Sequence, residues 1–314
     1  MVWISGGVCR MGSDCHYPEE APAHSVSVSG FFIDPCPVTN RQFAAFIAAT
    51  GYRTVAERPL DPKAFPGMPP AMLRPGSMVF QPSRGPVDLR DVRNWWHWKP
   101  GAYWRHPEGR GSSIAPRLDH PVVHVAFEDA EAYADWSGSA LPTEAEWEFA
   151  ARGGLDGAEY AWGDDFAPDG HSMAHTWRGE FPWRSPHPDG RQRTSPVGSY
   201  APNGYGLFDM IGNVWEWTTD WFSARHEPDT DKPCCVPVDP RGGGADASLD
   251  PTQPDVRIPR KVVKGGSFLC APNYCRRYRP AARHAQMIDT GMSHIGFRCI
   301  MRTERAKNEG DNHD

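Results

Sequence analysis

Backbone punctuation sets the strongest limit on this fold: 31 glycines and 32 prolines are scattered without a period through 314 residues. That is about a fifth of the chain, against roughly 12% in average proteins. Proline fixes φ and removes a donor, and glycine weakens the interior of helices and strands. The chain must therefore fold with many loops and short elements. Apolar residues still make up 39%, with 13 Trp and 14 Phe, enough for a packed core. Length alone suggests about two domains, but we expect one compact unit over residues 1–302. Residues 303–314 contain almost nothing apolar, and we expect a disordered polar tail there.

Acidic and basic residues are intermingled at a net charge of −6, so no basic face marks nucleic acid as a partner. No run approaches the roughly 20 apolar residues of a membrane-spanning helix. Residues 1–7 lack the basic and apolar segments of a secretory signal. A cytoplasmic monomer is the expectation. Its eight cysteines, Cys9, Cys15, Cys36, Cys234, Cys235, Cys270, Cys275 and Cys299, would then be mostly thiols.

Alternation of apolar and polar residues through 25–29 and 31–34 has the period of a half-buried strand. Thr39 and Asn40 cap a helix whose Phe43, Phe46 and Ile47 share a face, and Gly51 stops it. A second helix follows Phe127, with Ala130, Tyr133, Ala134 and Trp136 inward and Gly138 at its end. Thr143 and Glu146 form a capping box for a third, which Gly153-Gly154 ends. From 58 to 118 the chain is proline-punctuated and aromatic, including Trp95-Trp96-His97-Trp98, with little periodicity. So long an irregular stretch is usually functional or packs as surface loops. The remainder reads as loops and short strands, and no repeat of fixed period points to a solenoid or propeller.

His120 and His124 flank a strand-like Pro121-Val122-Val123 without the acidic third ligand of a zinc protease motif, which favours a structural role. Asp129, Glu131, Glu144, Glu146 and Glu148 lie on helices, where solvated faces or caps account for them. Residues 202–217 set the hard oxygens of Asp209 and Glu216 among turn glycines. Calcium takes six to eight oxygen ligands and suits such a segment. Trp215 and Trp217 have a strand period and read equally as core. The main chemical signal is Cys270 and Cys275, five apart and soon after the apolar Val262-Val263. Thiolates are soft ligands for Cu(I), zinc or iron–sulfur centres, and two without a matching second pair point away from a closed structural zinc site. A disulfide or two buried thiols fits the same spacing.

Four motifs complete the reading: Leu-Pro-Thr-Glu-Ala-Glu-Trp-Glu at 141–148, Gly-Asn-Val-Trp-Glu-Trp at 212–217, Lys-Gly-Gly-Ser at 264–267 and Gly-Phe-Arg-Cys at 296–299. Together they resemble the formylglycine-generating enzyme (sulfatase-modifying factor) family, from about Val2 to Arg302. All but Lys-Gly-Gly-Ser are shared by a wider superfamily that includes binding modules and iron-dependent sulfoxide synthases. Cys270 and Cys275, followed by Arg277-Tyr278-Arg279 and Ala281-Ala282-Arg283, resemble the oxidase branch.

The resemblance implies a single α+β domain of the formylglycine-generating enzyme, C-type-lectin-like fold, low in regular secondary structure. It implies oxidation of the cysteine of a Cys-X-Pro-X-Arg motif in an unfolded sulfatase polypeptide to Cα-formylglycine, with O₂, a thiol reductant and Cu(I). Cys270 and Cys275 would hold Cu(I) near-linearly, with room for the substrate thiol, and Ser267 and Trp215 would lie beside it. Ca²⁺ ligands carry over to the side chains of Asp209 and Glu216 and the carbonyls of Gly212 and Val214. A second calcium set falls on His175, Thr176, Asp189 and Arg191, where His175 replaces the family's usual Asn and offers nitrogen in place of amide oxygen. Pro280 and Ala150-Ala151 stand where secreted relatives carry paired cysteines, which leaves Cys299 without that partner. His294 stands where relatives can carry Asn near the substrate cleft. The alternative is a non-catalytic lectin-like binding module. An iron sulfoxide synthase would need an extra helical domain, for which 314 residues leave no space.

Overall fold

Helix ends fall where capping chemistry puts them in the computed structural model, which describes residues 1–62, 67–70, 72–185, 193–227 and 236–303. Helix α1 (Asn40–Thr50) opens at Thr39, whose hydroxyl accepts the Gln42 N–H while the Gln42 side chain accepts the Thr39 N–H. Gly51 closes it at φ 66°, a left-handed conformation that glycine adopts without cost. Helix α3 (Glu144–Arg152) repeats the device with Thr143, Glu146 and Gly153. Helix α2 (Phe127–Trp136) is capped by Asp129, whose Oδ2 accepts the Ala126 N–H at 2.8 Å, and it ends at Ser137, one residue before the expected glycine.

Strands β1 (Val2–Ile4), β4 (Phe31–Ile33) and β11 (Ile300–Arg302) form one antiparallel sheet with β4 in the middle. β2 (Gly7–Met11) pairs with β3 (His24–Val28), whose Val26 and Val28 point inward as the alternation requires. A four-stranded sheet runs in the order β10 (Ile295–Gly296), β7 (Trp215–Trp221), β8 (Arg260–Lys264), β9 (Arg283–Met287). One hairpin, β5 (Gly76–Phe80) with β6 (Trp96–Pro100), lies inside the stretch read as irregular. Four of the five β5 residues are buried, so the in-and-out alternation that betrays a strand is absent.

The core places α1 and α2 over β7. Phe43 stacks on Tyr133 at 6.0 Å, and Trp217 meets Phe127 edge-on at 5.7 Å. A second cluster packs Trp147 and Ala150 of α3 beneath β1 and β4. The third, of Phe80, Trp95, Trp177 and Phe181 with their neighbours, is aromatic and borders the site described below. Among the described residues no helix is long and apolar enough to cross a membrane. Cys234, Cys235 and the tail from residue 304 lie outside the described residues.

The fold places the helical carboxylates and the two histidines, and Glu144 and Glu148 depart from the expected solvated faces or caps. Glu144 and Glu148 are neither solvated nor caps: all nine residues of α3 are buried, because β2, β3, β7 and β8 pack around it. Lys264 Nζ sits between Glu144 (3.3 Å) and Glu148 (2.8 Å), Arg283 forks onto Glu144, and Arg152 reaches Glu148 at 2.7 Å. Glu146 takes Arg302 as well as its own cap, and Asp129 is buried on the Val55 N–H and the Tyr52 hydroxyl. Of the five acids, Glu131 remains exposed. His120 and His124 flank a segment that is not a regular strand. His124, at φ 62°, is buried and bonds Ser77 Oγ and the Pro107 carbonyl, both at 2.8 Å, while His120 meets Thr194 Oγ1 at 3.0 Å. Both serve structure, as their sequence context favoured.

Candidate active site

Two glycines turn the chain as it leaves β8. Gly265 and Gly266 have φ 90° and 72°, and a Cβ on either would stand 2.8 Å from the Met210 carbonyl or 2.7 Å from that of Arg277. No other residue fits there. The turn delivers residues 267–275 against Gly-Asn-Val-Trp-Glu-Trp: Phe268 N–H donates to the Asn213 carbonyl (3.0 Å), and Trp177 N–H donates to that of Cys270 (2.9 Å). Cys270 and Cys275 N–H donate to the Ser267 and Ala271 carbonyls (3.0 and 2.8 Å), folding the segment so that its two sulfurs meet.

The sulfurs stand 3.3 Å apart and both cysteines are free. A disulfide would need about 2.05 Å, and two metal–sulfur bonds of about 2.3 Å in line would need about 4.6 Å. The separation lies between these two values. The separation is that of a thiol donating to a thiolate. Burial, then the hydrogen bond to and charge of Cys275, push the Cys270 thiol well up. The hydrogen bond from Cys270 pulls Cys275 down, helped against burial by the charge and hydrogen bonds of Arg277. Arg277 is itself held by Glu19 (Nη2 2.5 Å, Nε 3.2 Å) and lies 3.9 Å from the Tyr17 ring centre. Of the two sulfurs, Cys275 is the one whose surroundings favour the thiolate. Such a donor pair fits a soft cation.

Ser267, Trp215, Cys270 and Cys275 line one cleft of about 250 Å³, so the structure brings the four expected catalytic residues together. Ser267 N–H donates to Cys270 Sγ (3.4 Å), and its Oγ accepts the Leu269 N–H (3.2 Å), which leaves the hydroxyl proton to donate. Trp215 packs beside His284, ring centres 5.7 Å apart. The far wall is aromatic: Phe181 stacks on Tyr274 at 4.5 Å, Trp95 meets Tyr274 edge-on at 5.2 Å, and Trp96 lies 4.6 Å from His294. Of these, Trp95 and Trp96 were visible only as a tryptophan run in a long irregular stretch, and Tyr274 only as the neighbour of Cys275. Phe181 and His284 carried no sequence signal, because separate loops and strands bring them in.

The calcium sets fit unequally. Asp209 is buried at φ 53°, and its Oδ2 accepts the Gly198 N–H at 2.7 Å. Burial raises its pKa. Both oxygens of Glu216 accept from Arg298 (2.7 and 2.8 Å), and Oε2 also takes Trp147 Nε1–H (2.8 Å). Arg298 is the guanidinium whose field also reaches Asp209 and Asp34. A cation at Asp209 would meet that carboxylate, with those of Glu216 and Asp34 in the same Arg298 field. Glu216 retains one Oε1 lone pair for it rather than a whole carboxylate. In the second set, His175 Nε2 bonds the Arg193 carbonyl at 2.6 Å, so the imidazole brings no oxygen ligand. Thr176 is buried beside it, and Asp189 and Arg191 lie outside the described residues.

Comparison with known proteins identifies the family. The family model for the sulfatase-modifying factor enzyme 1-like domain matches residues 1–303. The chain is 56% identical to the formylglycine-generating enzyme of Mycobacterium tuberculosis, over 96% of this chain and 97% of that one. It is 47% identical to the formylglycine-generating enzyme of Thermomonospora curvata, over 95% and 92%. The solved structure of PvdO from Pseudomonas aeruginosa shares the fold, with a TM-score of 0.62 over 96% of this chain and 93% of that one at 21% identity. A single mixed α and β domain with few helices, a cysteine pair in an aromatic cleft and end-to-end similarity place this chain in the formylglycine-generating enzyme, or sulfatase-modifying factor, family.

Proposed function

We propose that this protein oxidises a cysteine of an unfolded sulfatase polypeptide to Cα-formylglycine, with Cu(I) held by Cys270 and Cys275 and with O₂ and a thiol reductant consumed. The observation that carries the reading is the pair of free sulfurs, 3.3 Å apart, in an aromatic cleft. Overall, one substrate thiol, one O₂ and two reductant thiols give one aldehyde, one H₂S, one water and one disulfide. The chemistry supplied by bound Cu(I) is soft-ligand capture of the substrate's sulfur and electron transfer to O₂. The chain's own residues do the rest. Cys275 enters as the thiolate and needs to lose no proton to act as a ligand, while Cys270 must release the proton it shares. Arg277, fixed by Glu19, balances the negative charge. Ser267 directs its hydroxyl proton toward the reacting centre, and Trp215 with the Trp95, Phe181 and Tyr274 wall shields it from water. A cytoplasmic setting suits the free state of all six described cysteines.

The deciding experiment incubates the protein with Cu(I), a thiol, O₂ and a peptide carrying Cys-X-Pro-X-Arg. The expected result is one aldehyde, trapped by an oxyamine and weighed by mass spectrometry, for each substrate thiol lost. A lectin-like binding module would bind the peptide and return it unchanged.

Calcium is proposed at Asp209 with the Gly212 and Val214 carbonyls and the remaining lone pair of Glu216. Chelation is expected to lower the melting temperature by roughly 3 °C or more, since a ligand that binds only the folded state stabilises it. Asp209→Ala should melt at one temperature with or without calcium. If wild type also ignores calcium, the site does not exist.

A further inference from the structure

A second cavity, of about 270 Å³, opens on the hairpin that walls the active-site cleft. Its lining includes Met72, Met78, Trp98, Val256, Ile258 and Met287, all half-buried, and the oxidation chemistry uses none of them. Strand β6 joins the two spaces. Trp96 lines the cleft and Trp98 the cavity. Two residues apart on one strand, they point to the same face about 7 Å from one another. The register repeats the relation across the hairpin, with Phe80 opposite Trp96 and Met78 opposite Trp98. A third segment runs alongside: Met292 bridges Met78, Ser293 N–H donates to the Met78 carbonyl (3.1 Å), and His294 two residues on returns to the cleft. Cavity and cleft are therefore neighbouring depressions along one surface.

We propose that this cavity is a subsite for an apolar side chain of the same polypeptide substrate, a few residues from the oxidised cysteine; the inference rests on the function proposed above. Continuity argues for that occupant. An unfolded substrate is extended at about 3.3–3.6 Å per residue, so a chain anchored by its cysteine and following β6 reaches the cavity mouth within a few residues. Size argues the same way. Pockets that enclose a small molecule run to roughly 300–1,000 Å³, and this cavity, at the lower edge of that range, has room for one or two large side chains. Methionines suit the task, since flexible thioethers adapt to apolar groups of differing shape.

The test extends the short Cys-X-Pro-X-Arg peptide by about eight residues on each side and places Leu or Asp at each added position in turn. At the one or two positions that reach the cavity, wild type is expected to favour Leu by about tenfold or more in kcat/KM, mostly through KM. Val256→Trp, which fills the cavity, should bring that Leu/Asp ratio close to one, and Ile258→Trp serves should the first variant not fold. Turnover of the unextended peptide in the same preparation is the reference for intact enzyme. Binding of the same peptides, read by fluorescence polarisation, reports the subsite independently of chemistry. A wild-type ratio near one at every position, or an unchanged ratio in the filled variants, overturns the subsite. Leu-selective binding without aldehyde from any peptide would uphold it and overturn the oxidase reading instead.

Discussion

Cys275→Ala is expected to lower formylglycine formation by about a thousandfold or more while the melting temperature stays within a few degrees of wild type. The two readouts separate because Cys275 is half-buried on the cleft wall, and Arg277 keeps its ion pair with Glu19 when the sulfur is gone. Little packing is lost, but one of two soft donors disappears, and Cu(I) binding should fall from one per chain to none in a titration at neutral pH. Cys270→Ala should lose activity equally and melt slightly lower, since its sulfur is buried and receives the Ser267 N–H. Substantial turnover in both variants would rule out copper ligation by this pair.

The largest effect on stability is expected from Glu148→Ala. Its carboxylate lies between Lys264 and Arg152 with no exposure to water, so truncation leaves the buried Arg152 without its carboxylate and leaves Lys264 with only the longer contact to Glu144, which Arg283 also holds. Breaking such a pair costs about 3–5 kcal/mol, out of a total that is about 5–15 kcal/mol for most proteins. The cost depends on pH with a definite sign. Burial works to raise the Glu148 pKa, but the charges of Lys264 and Arg152 and the bonds it accepts pull it down to about 2. Its folded value is below the unfolded value of about 4.3, so its stabilisation is complete above that pH and is lost as pH falls toward 2. Urea midpoints for wild type and variant should differ widely at pH 7 and draw together by pH 3. A gap that stays constant would mean that the carboxylate's charge is not what matters.

The parts of the fold legible in the sequence are those decided locally. Thr39 with Gln42, Thr143 with Glu146, and Gly51 and Gly153 act within one turn, and their helices end as read. Ser267, Cys270 and Cys275 sit in one short segment, so a motif could carry them. What escaped depends on partners far along the chain. α3 looks amphipathic, yet its acids are paired with Lys264 and Arg283, more than a hundred residues away. Glu19 steadies Arg277 from the opposite end of the sequence. Strand β5 lost its period because four of its five residues are buried.

The central position of β4 bears on how the protein comes into being. Its two edges receive the first strand and the last, so that sheet cannot close until almost the whole domain has left the ribosome. Contacts of such sequence separation are slow to form, because loop closure costs entropy before any contact repays it. Arg298, just before β11, also arrives late, so Glu216 lacks its guanidinium until then. Activity is therefore expected only once the last strand has been made and the β1–β4–β11 sheet has closed.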